Sequence, residues 1–372
     1  MKIAIDARPI NHNFRQGILN YAEKLIYTLA EIDKSNEYFL LFTSLRKKAN
    51  EMPGPTQNNF VKKVLPIPDR GFPFKNLLLN KGFLPYFFIK NKCNIYHALA
   101  GYSLPNANKT KRILTIYDLR SSKITDKTFP QDIESLKKSA KDADICIAIS
   151  ETTKKDIIEC LGISPNKIRV TYMGVDEQFN PINKEKCGAI REKYKIEEKY
   201  IFSLGQVPRK NVERLIKAFS RFKYKNNFLL IVGGAGQYGP WISKYRELIN
   251  KLKMDDRIRL IGYLPCEDLP LLYNASEFFV FPSLYEGFGI PILEAMKCGI
   301  AVITSNVSAL PEIGRDAVLY VDPYSEEDIA RQMERLIEDK ELKDTLVKKG
   351  IDRVKEFSWK KMAQETLKIY MD

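Results

Sequence analysis

The stretch Pro282-Ser-Leu-Tyr-Glu-Gly-Phe-Gly-Ile-Pro-Ile-Leu-Glu294 joins an apolar strand to the start of a helix. The run Phe278–Phe281 before it is strand-like, and Pro291 suits the first turn of a helix, where an N–H has no partner to lose. Gly287 and Gly289 let backbone N–H groups approach a ligand closely, and a helix N-terminus attracts an anion. This order of elements predicts a parallel α/β domain with an anion site at the loop.

Strands and helices alternate on both sides of this stretch. The first half contains predicted strands at Lys2–Ala7, Tyr38–Thr43, Phe60–Ile67, Asn94–Ala98, Arg112–Tyr117, Asp144–Ile149 and Lys167–Thr171. The second half contains predicted strands at Tyr200–Leu204, Phe228–Val232, Arg257–Ile261, Glu277–Phe281, Ala301–Thr304 and Val318–Val321. The predicted helices include Ile18–Ile32, Lys75–Ile89, Glu151–Leu161, Val212–Phe222, Trp241–Leu252, Asp268–Asn274, Pro291–Lys297, Glu326–Glu338, Glu341–Glu356 and Trp359–Tyr370.

The chain has 372 residues, which is enough for about two domains. The polar stretch Gly174–Lys199 separates the two sets of strands and is the predicted linker. We therefore predict an α/β fold of two Rossmann-like, doubly wound domains that face a cleft, over residues 1–178 and 179–356. Residues 357–372 are predicted to form a helix that packs back toward the first domain. In such folds ligands bind at the carboxyl ends of the strands and at helix N-termini.

Composition excludes several classes of protein. Hydrophobic residues make up 44% of the chain, so a sizeable core can be buried and disorder throughout is excluded. The six cysteines form no CxxC pair, which argues against a disulfide framework or zinc site, and the two histidines, His12 and His97, exclude a His-rich metal site. No apolar run is long enough to span a membrane, and the N-terminus lacks the core of a signal peptide. We expect a cytoplasmic protein.

The formal net charge is +14, and most of the basic excess lies in residues 1–180. The chain contains no recognisable nucleic-acid-binding module, so we expect no nucleic-acid partner. Gly71–Ile89, with the sequence GFPFKNLLLNKGFLPYFFI, combines aromatic and aliphatic residues with lysines. Two interpretations stay open for it. The segment either lies at an anionic membrane interface, or near a lipid-linked acceptor, as a peripheral contact, or it is an ordinary helix that packs on the core.

A second strand, glycine loop and helix occurs at Ser203-Leu-Gly-Gln-Val-Pro-Arg-Lys-Asn211. Arg209 and Lys210 lie at a helix N-terminus, where their charge opposes the helix dipole, so an anion between them is expected. They could neutralise a leaving diphosphate without a metal. Glu286 and Glu294 would then accept hydrogen bonds from neutral hydroxyls on either side of the phosphates. The alternatives are a solvated Arg-Lys pair and a glutamate that complements a helix dipole.

Together these segments resemble the family-4 retaining glycosyltransferases, which have the GT-B fold. Glu286 and Glu294 match the E-x7-E motif of that family within an EGFG-x-P-x-x-E-A string. Arg209-Lys210-Asn211 matches its R-K-N segment. Further matches are Ser305–Glu312, Asp144–Asp156, Val170–Asp176, Asp6-Ala7-Arg8-Pro9 and Gly17-Ile18. The resemblance covers nearly the whole chain, and its C-terminal motifs are specific in combination.

The resemblance implies a nucleotide diphosphate sugar as donor and no metal or other cofactor. It assigns ribose hydroxyls to Glu294, hydroxyls of the transferred sugar to Glu286, and the diphosphate to Lys210 with Arg209. The remaining residues that it assigns to donor binding are Gly287, Phe288, Gly289, Ile290, Gly205, Gln206, Gly262 and Tyr263. Those that it assigns to the reacting end and the acceptor and phosphate loop are Tyr117, Asp118, Gly17, Arg15 and His97. The acceptor would be a hydroxyl of a growing glycan or a lipid-linked glycan, and the transferred sugar mannose or a related hexose.

The sequence departs from the family pattern at three positions. Tyr117 precedes Asp118 where a histidine is usual, Gln206 stands where Arg or Thr is common, and Gln16 replaces one of two paired glycines before Ile18. Tyrosine can donate a hydrogen bond but is not a cation near neutral pH. These departures imply an altered sugar preference or low activity, and one diphosphate contact fewer.

Other functions are compatible with parts of this pattern. A nucleotide-sugar epimerase or a glycoside phosphorylase could share the fold, although a phosphorylase would need a longer chain and a pyridoxal phosphate lysine. A sugar-nucleotide-binding protein without turnover is the non-enzyme alternative. Asp142-Ala-Asp144 spells the metal motif of a different glycosyltransferase fold, but its position between a helix and an apolar strand favours a structural role. Gly233-Gly-Ala-Gly236 lacks the spacing of a dinucleotide fingerprint.

Overall fold

The computed structural model describes residues 1–11, 16–68, 75–99, 104–106, 109–119, 133–234 and 240–372. They divide into two compact units. The first contains the described residues up to Gly174 together with Ser358–Asp372, and the second contains those of Val175–Phe357. Arg15 of the predicted acceptor loop, His12, and the first residues of Gly71–Ile89 lie outside the described residues.

The described strands follow the order of the predicted ones. They are β1 (Lys2–Asp6), β2 (Glu37–Thr43), β3 (Phe60–Leu65), β4 (Ile95–Ala98), β5 (Lys111–Ile116), β6 (Ile145–Ala148), β7 (Ile168–Val170), β8 (Tyr200–Leu204), β9 (Leu229–Gly233), β10 (Ile258–Leu260), β11 (Phe279–Phe281), β12 (Val302–Ser305) and β13 (Leu319–Val321). Most differ from the predicted bounds by one or two residues, as strand ends usually do.

The described helices alternate with these strands. They are α1 (Arg8–Asn11), α2 (Gln16–Ile32), α3 (Lys75–Leu78), α4 (Leu84–Asn91), α5 (Ile133–Asp142), α6 (Glu151–Leu161), α7 (Gly188–Lys193), α8 (Val212–Arg221), α9 (Pro240–Lys251), α10 (Leu269–Ala275), α11 (Ile290–Lys297), α12 (Leu310–Gly314), α13 (Glu326–Glu338), α14 (Lys340–Val354) and α15 (Trp359–Met371). The cap of α6 follows the sequence, since the Ser150 hydroxyl accepts from Thr153 N at 2.9 Å.

Each unit contains one parallel sheet. The order is β3-β2-β1-β4-β5-β6-β7 in the first unit and β10-β9-β8-β11-β12-β13 in the second. In both, the strand order reverses direction beside the first strand, which is the arrangement of doubly wound folds. The crevices expected to bind ligands therefore lie at the carboxyl ends of β1 and β4, and of β8 and β11.

Helix periodicity explains how the second sheet is covered. Val212, Leu215, Ile216 and Phe219 recur at helical spacing along α8, and all four are buried. They pack in one apolar cluster with strand residues such as Leu230 and with α9 and α13. The N-terminus of α8 is thereby fixed at the carboxyl edge of β8.

The C-terminal helix belongs to the first unit. α15 packs against α2. The backbone N of Trp359 is so close to Gly174 that a Cβ built on that glycine would lie 2.3 Å from it. The polar segment before β8 is built into the second unit, since Cys187 and Ile190 are buried and Ile182 N donates to Asn274 Oδ1 at 2.7 Å. The sequence analysis did not predict its helical turns, which include α7.

The apolar segment after residue 74 differs from the single helix predicted. A π-helical turn at Leu79–Phe83 separates α3 from α4. Leu79, Leu84, Phe87 and Phe88 are buried on one side of the segment. Among the described residues, no helix combines the length and the apolar character needed to cross a membrane.

Candidate active site

The loop after β8 begins with a glycine whose conformation other residues rarely adopt. Gly205 has φ +98°, and a Cβ there would lie 2.7 Å from Lys210 Cγ. Its N–H donates to the Gly233 carbonyl at 2.6 Å. A 3-10 turn over Pro208–Lys210 follows, and Asn211 Nδ2 donates to the Pro323 carbonyl at 2.6 Å. These contacts bring the Lys210 side chain back over the end of β8.

The loop after β11 places a carboxylate opposite this turn. Its Glu286 N–H donates to Ser308 Oγ at 3.0 Å, and Leu284 N donates to the Arg209 carbonyl at 2.8 Å. Gly289 has φ +122°, and a Cβ there would lie 3.0 Å from Leu310 Cδ2, so glycine is favoured where the loop enters α11. The two loops are thus bonded to each other at the switch point of the second sheet.

Three donors converge on one oxygen of Glu286. Arg209 Nη1 and Lys210 Nζ each lie 2.7 Å from Oε1, and Ser283 Oγ lies 2.5 Å from it. We call these four residues the Glu286 cluster. Lys210 Nζ also lies 4.3 Å from the centre of the Phe281 ring, within cation–π range. The side chains of Glu286 and Lys210 are only 9% and 12% exposed, so the pair is little screened by water.

Burial and charge act in opposite directions within the Glu286 cluster. Burial alone would raise the pKa of Glu286, but the charges of Arg209 and Lys210 outweigh it and lower that pKa to about 2. Burial and the Arg209 charge lower the pKa of Lys210 to about 8, although Glu286 works in the other direction. The cluster therefore carries two cations and one anion near neutral pH, a net positive charge at the end of β8 and β11.

Glu294 lies in α11, and the Tyr273 hydroxyl donates to its Oε2 at 3.0 Å. Burial raises the pKa of Glu294 to about 7, and the Asp176 charge adds to this, against the hydrogen bond from Tyr273. Glu294 can therefore change its protonation state near neutral pH, whereas Glu286 stays ionised.

The other residues predicted to bind the donor differ in what their side chains do. Gln206 Nε2 donates to the carbonyls of Val232 and Ile261, both at 2.7 Å, so this group joins β9 to the chain after β10 and is not directed at a ligand. The Gly262 carbonyl accepts from Gly234 N at 3.1 Å. Tyr263 is 64% exposed.

The loop around Gly287 offers backbone and not side-chain chemistry. The Phe288 ring is buried against Phe357 in an edge-to-face contact with 5.9 Å between ring centres. Gly289 caps α11 and Ile290 begins it. The main chain of residues 287–290 is therefore the part of this loop that can approach an anion.

The predicted site residues of the first unit separate into interior and edge positions. His97 is fully buried in β4, with Nδ1 2.6 Å from the Tyr370 hydroxyl and Nε2 2.8 Å from Thr115 Oγ1. Burial lowers its pKa to about 3, so the ring is neutral. His97 was predicted for the acceptor and phosphate loop, and in the structure both of its ring nitrogens are used inside the first unit.

Tyr117 and Asp118 directly follow β5 and are partly exposed. The Tyr117 hydroxyl donates to the Leu99 carbonyl at 2.7 Å, and its ring packs edge-to-face on Tyr21. Gly17 is exposed in the first turn of α2, not in a loop before a helix, and a Cβ there would meet no atom within 4 Å.

Sequence analysis missed three supporting residues of the second unit. Ser283 and Ser308 hold the carboxylate and the N–H of Glu286, and Tyr273 holds Glu294. Ser283 and Ser308 lie in stretches that were quoted for the family resemblance, so their position beside the glutamates was a usable signal. Tyr273 is 21 residues from Glu294, and nothing in the sequence indicated that the two side chains would be in contact.

Within the described residues, no three His, Cys, Asp or Glu side chains are grouped so that they could hold a metal ion. Asp144 of the D-x-D sequence follows α5 and accepts from Arg112 N at 2.7 Å with Oδ2, which is a structural role at the start of β6.

Two Rossmann-type sheets, with a partly buried pair of cations at the switch point of the second, are typical of proteins that bind anionic ligands such as nucleotides. Residues 188–353 match the family described as Glycosyl transferases group 1, and residues 60–179 match Glycosyltransferase Family 4. The chain belongs to the family-4 glycosyltransferases and has the GT-B fold.

Curated relatives are similar over part of their length. O-antigen chain mannosyltransferase B of Escherichia coli is 32% identical over 64% of this chain and 63% of its own. The serotype-specific mannosyltransferase WbdA of the same species is 34% identical over 58% of this chain and 27% of its own. The chain thus spans less than two thirds of the length of these relatives.

Solved structures share the fold over the whole chain. Sucrose-phosphate synthase from Thermosynechococcus elongatus has a TM-score of 0.78 at 20% identity, covering 100% of this chain and 98% of its own. Anabaena HepE, solved in complex with UDP-glucose, has a TM-score of 0.76 at 17% identity, covering 100% and 99%.

Proposed function

We propose that this protein is a retaining, metal-independent glycosyltransferase. It moves a sugar, mannose or a related hexose, from a nucleotide diphosphate sugar to a hydroxyl of a growing glycan or a lipid-linked acceptor. The observation that carries this proposal is the Glu286 cluster, which places Arg209 and Lys210 side by side at the switch point of the second sheet. Two adjacent cations there fit a diphosphate.

The chemistry follows from that placement. The bond between the anomeric carbon and the diphosphate breaks, and its electron pair leaves with the diphosphate. The sugar thereby passes through an oxocarbenium-like state. Arg209 and Lys210 neutralise the negative charge that develops on the diphosphate. The acceptor oxygen then bonds to the anomeric carbon on the face that the diphosphate leaves, and the acceptor's proton passes to an oxygen of the departing diphosphate. Glu286 and Glu294 orient hydroxyls of the sugar and the ribose.

The names of the relatives support the proposed substrate class. Two relatives are named as mannosyltransferases, and one of them is named for the O-antigen chain. A structural neighbour was solved with UDP-glucose. A hexose donor and a role in polysaccharide assembly are consistent with these names.

Binding of nucleotides by the purified protein tests the proposal. Isothermal titration calorimetry with UDP, GDP, ADP and dTDP, with and without EDTA, should identify one nucleotide that binds tightly. Its affinity should be the same with and without EDTA. Lys210→Ala should reduce transfer from the matching nucleotide sugar about 10²- to 10³-fold, as removing one oxyanion donor does. Lys355→Ala, at a lysine 71% exposed beside Asp352, is the matched control and should change neither quantity. Absence of binding with all four nucleotides in the wild type would contradict the proposal.

Product analysis separates the alternatives. The anomeric configuration of the new bond, read by NMR, should be that of the donor. A nucleotide-sugar epimerase would instead release free nucleotide and an altered sugar with no acceptor present. A binding protein would bind the donor and not turn it over. The observation in favour of this alternative is Tyr117, which stands where the family has a histidine and whose hydroxyl donates to the Leu99 carbonyl.

The first unit contains a surface suited to an anionic membrane. Along α3, the π-helical turn and α4, Leu77, Leu78, Tyr86 and Ile89 are exposed, and Ile89 is 79% exposed. Three exposed lysines, Lys81, Lys90 and Lys92, lie on the same segment. Apolar side chains with neighbouring lysines bind interfaces of anionic lipids, with about 1 kcal/mol for each lysine near the surface. We propose a peripheral contact on the cytoplasmic face through this segment.

Vesicle sedimentation tests the membrane contact. The protein should sediment with vesicles of phosphatidylglycerol and phosphatidylcholine at low salt, and less at high salt because the lysines are screened. Tyr86→Ser with Ile89→Ser should abolish sedimentation. Ile351→Ser changes an exposed isoleucine of the second unit and should retain it. Equal sedimentation of all three proteins would contradict this contact.

A further inference from the structure

The Glu286 cluster is held together by hydrogen bonds among its own side chains. Arg209 Nη1, Lys210 Nζ and Ser283 Oγ all bond to Glu286 Oε1, which leaves Oε2 outside the cluster. The cations are adjacent in the sequence and lie on one turn, and their side chains are only 20% and 12% exposed. Two cations that both contact one carboxylate oxygen, with little exposure to water, repel each other strongly, and an anion between them offsets this repulsion.

Lysine and arginine respond differently to such a site. A guanidinium keeps its proton in proteins, whereas a buried ammonium readily loses its proton. Lys210 is therefore the member of the pair that would become neutral if the anion were lost. A neutral Lys210 would contribute no charge to the binding of a diphosphate.

The groups around Lys210 come from four elements. Arg209 belongs to its own turn, Glu286 to the loop after β11, and Glu294 to α11, while the Phe281 ring and the Gly205 backbone contribute no charge. Glu286 is the one carboxylate within hydrogen-bond distance of Lys210 Nζ among the described residues. Burial and Arg209 already bring the pKa of Lys210 down to about 8, and Glu286 keeps it from falling further.

We infer that Glu286, besides any contact with the transferred sugar, is the counter-ion that keeps Lys210 protonated and beside Arg209 until a diphosphate replaces it. This inference rests on the proposed function, because it concerns the same diphosphate site. Ser283 is a positioning residue in this arrangement, since it holds Oε1 without adding charge.

Free nucleoside diphosphates separate this role from a sugar contact, because they carry no transferred sugar. For wild type, Glu286→Gln and Ser283→Ala, we would measure the dissociation constant of the best-binding of UDP, GDP, ADP and dTDP between about pH 6 and pH 9.5. Circular dichroism at each pH would confirm that the variants are folded. The titration of the nucleotide itself is common to all three proteins and cancels in their ratio.

The expected results differ in the pH at which affinity is lost. Wild-type affinity should fall above about pH 8, approaching tenfold per pH unit as Lys210 loses its proton. In Glu286→Gln the fall should begin at least about one pH unit lower, while at pH 6 the affinity stays within a few-fold of wild type. Ser283→Ala keeps the charges of Arg209, Lys210 and Glu286, so it should lower affinity by a similar factor at every pH without moving the midpoint.

A double variant makes the test independent of how well the single one packs. Adding Lys210→Arg to Glu286→Gln provides a cation that does not deprotonate, so affinity should stop falling with pH up to about 9.5. The same midpoint in wild type and Glu286→Gln would overturn the inference. A wild type that binds none of the four nucleotides would instead overturn the proposed function.

Discussion

The Tyr273 hydroxyl donates to Glu294 Oε2 across 3.0 Å, and this bond favours the charged form of a carboxyl that burial otherwise makes neutral. Its consequence is a dependence on pH. As the pH falls through about 7, Glu294 gains a proton and loses part of its capacity to accept from ribose hydroxyls.

Tyr273→Phe should therefore weaken nucleotide binding most near neutral pH. Without the hydrogen bond the pKa of Glu294 rises further, so at pH 7 more of the protein carries the neutral acid, and we expect a loss of about three- to tenfold. At about pH 8 the loss should be smaller, because Glu294 is again ionised.

Glu294→Gln provides the control for this effect. An amide does not titrate, so its nucleotide affinity should be low and should not fall below pH 7 more than the nucleotide's own titration requires. Titration calorimetry at pH 6, 7 and 8 measures all three proteins. A Tyr273→Phe variant that loses the same factor at every pH would show that packing, and not the charge of Glu294, matters.

Gly205→Ala should weaken diphosphate binding by displacing Lys210. The new Cβ would lie 2.7 Å from Lys210 Cγ, so the lysine must move away from Glu286, and φ +98° adds backbone strain of about 1–3 kcal/mol. We expect at least a tenfold loss of nucleoside diphosphate affinity, together with a lower melting temperature.

Gly188→Ala is the matched change for that prediction. Gly188 begins α7, has an ordinary helical conformation and has no atom within 4 Å of a built Cβ, so alanine should leave binding unchanged and stability equal or higher. If Gly205→Ala bound nucleotides like Gly188→Ala, the close approach of Gly205 to Lys210 would have no role in binding.

His97→Leu should destabilise the protein without changing nucleotide affinity. It removes both bonds of a fully buried ring and leaves the Tyr370 and Thr115 hydroxyls without this partner, at a cost of about 1–3 kcal/mol for each buried group left unsatisfied. Thermal unfolding measures the loss. A variant of normal stability with impaired transfer would contradict this prediction and support a role of His97 in acceptor binding.

Acid should destabilise the first unit through the same residue. The pKa of His97 is lowered from 6.5 to about 3, so below pH 6.5 the unfolded chain takes up a proton that the folded chain does not. Stability is therefore lost as the pH falls from about 6.5 to 3, by up to about 1.4 kcal/mol per pH unit. His97→Leu should show a shallower fall over this range when urea denaturation is measured at several pH values.

The alternation of apolar runs was sufficient to predict the fold. Each described strand corresponds in order to a predicted one, and strand-helix-strand repetition implied parallel sheets, which is confirmed. The break of the apolar helix into α3, a π-helical turn and α4 was not predicted, because helical periodicity is similar in all three segments. α7 was missed because it has only six residues, three of which are charged, and because it packs on α10, which is distant in the sequence.

The sequence predicted which residues belong to the candidate site better than it predicted the contacts that their side chains make. Glycine loops at the ends of two strands placed Arg209, Lys210 and Glu286 in one crevice, and the structure brings these three side chains together. Sequence spacing carries no information on whether a side chain faces inward, so Gln206 was assigned to the donor although it joins two backbone carbonyls. Spacing also gave no indication that both ring nitrogens of His97 would be hydrogen-bonded inside the first unit.

The helix Trp359–Met371 determines when the first unit can be completed during synthesis. Tyr370 meets His97 from 273 residues further along the chain, so the ribosome makes the entire second unit in between. At about 5–20 residues per second, the nascent first unit waits tens of seconds with the surface of α2 that α15 covers still unprotected. The described residues of the second unit all lie within Val175–Phe357, so this unit can close its core before α15 has been made and the first unit can be completed.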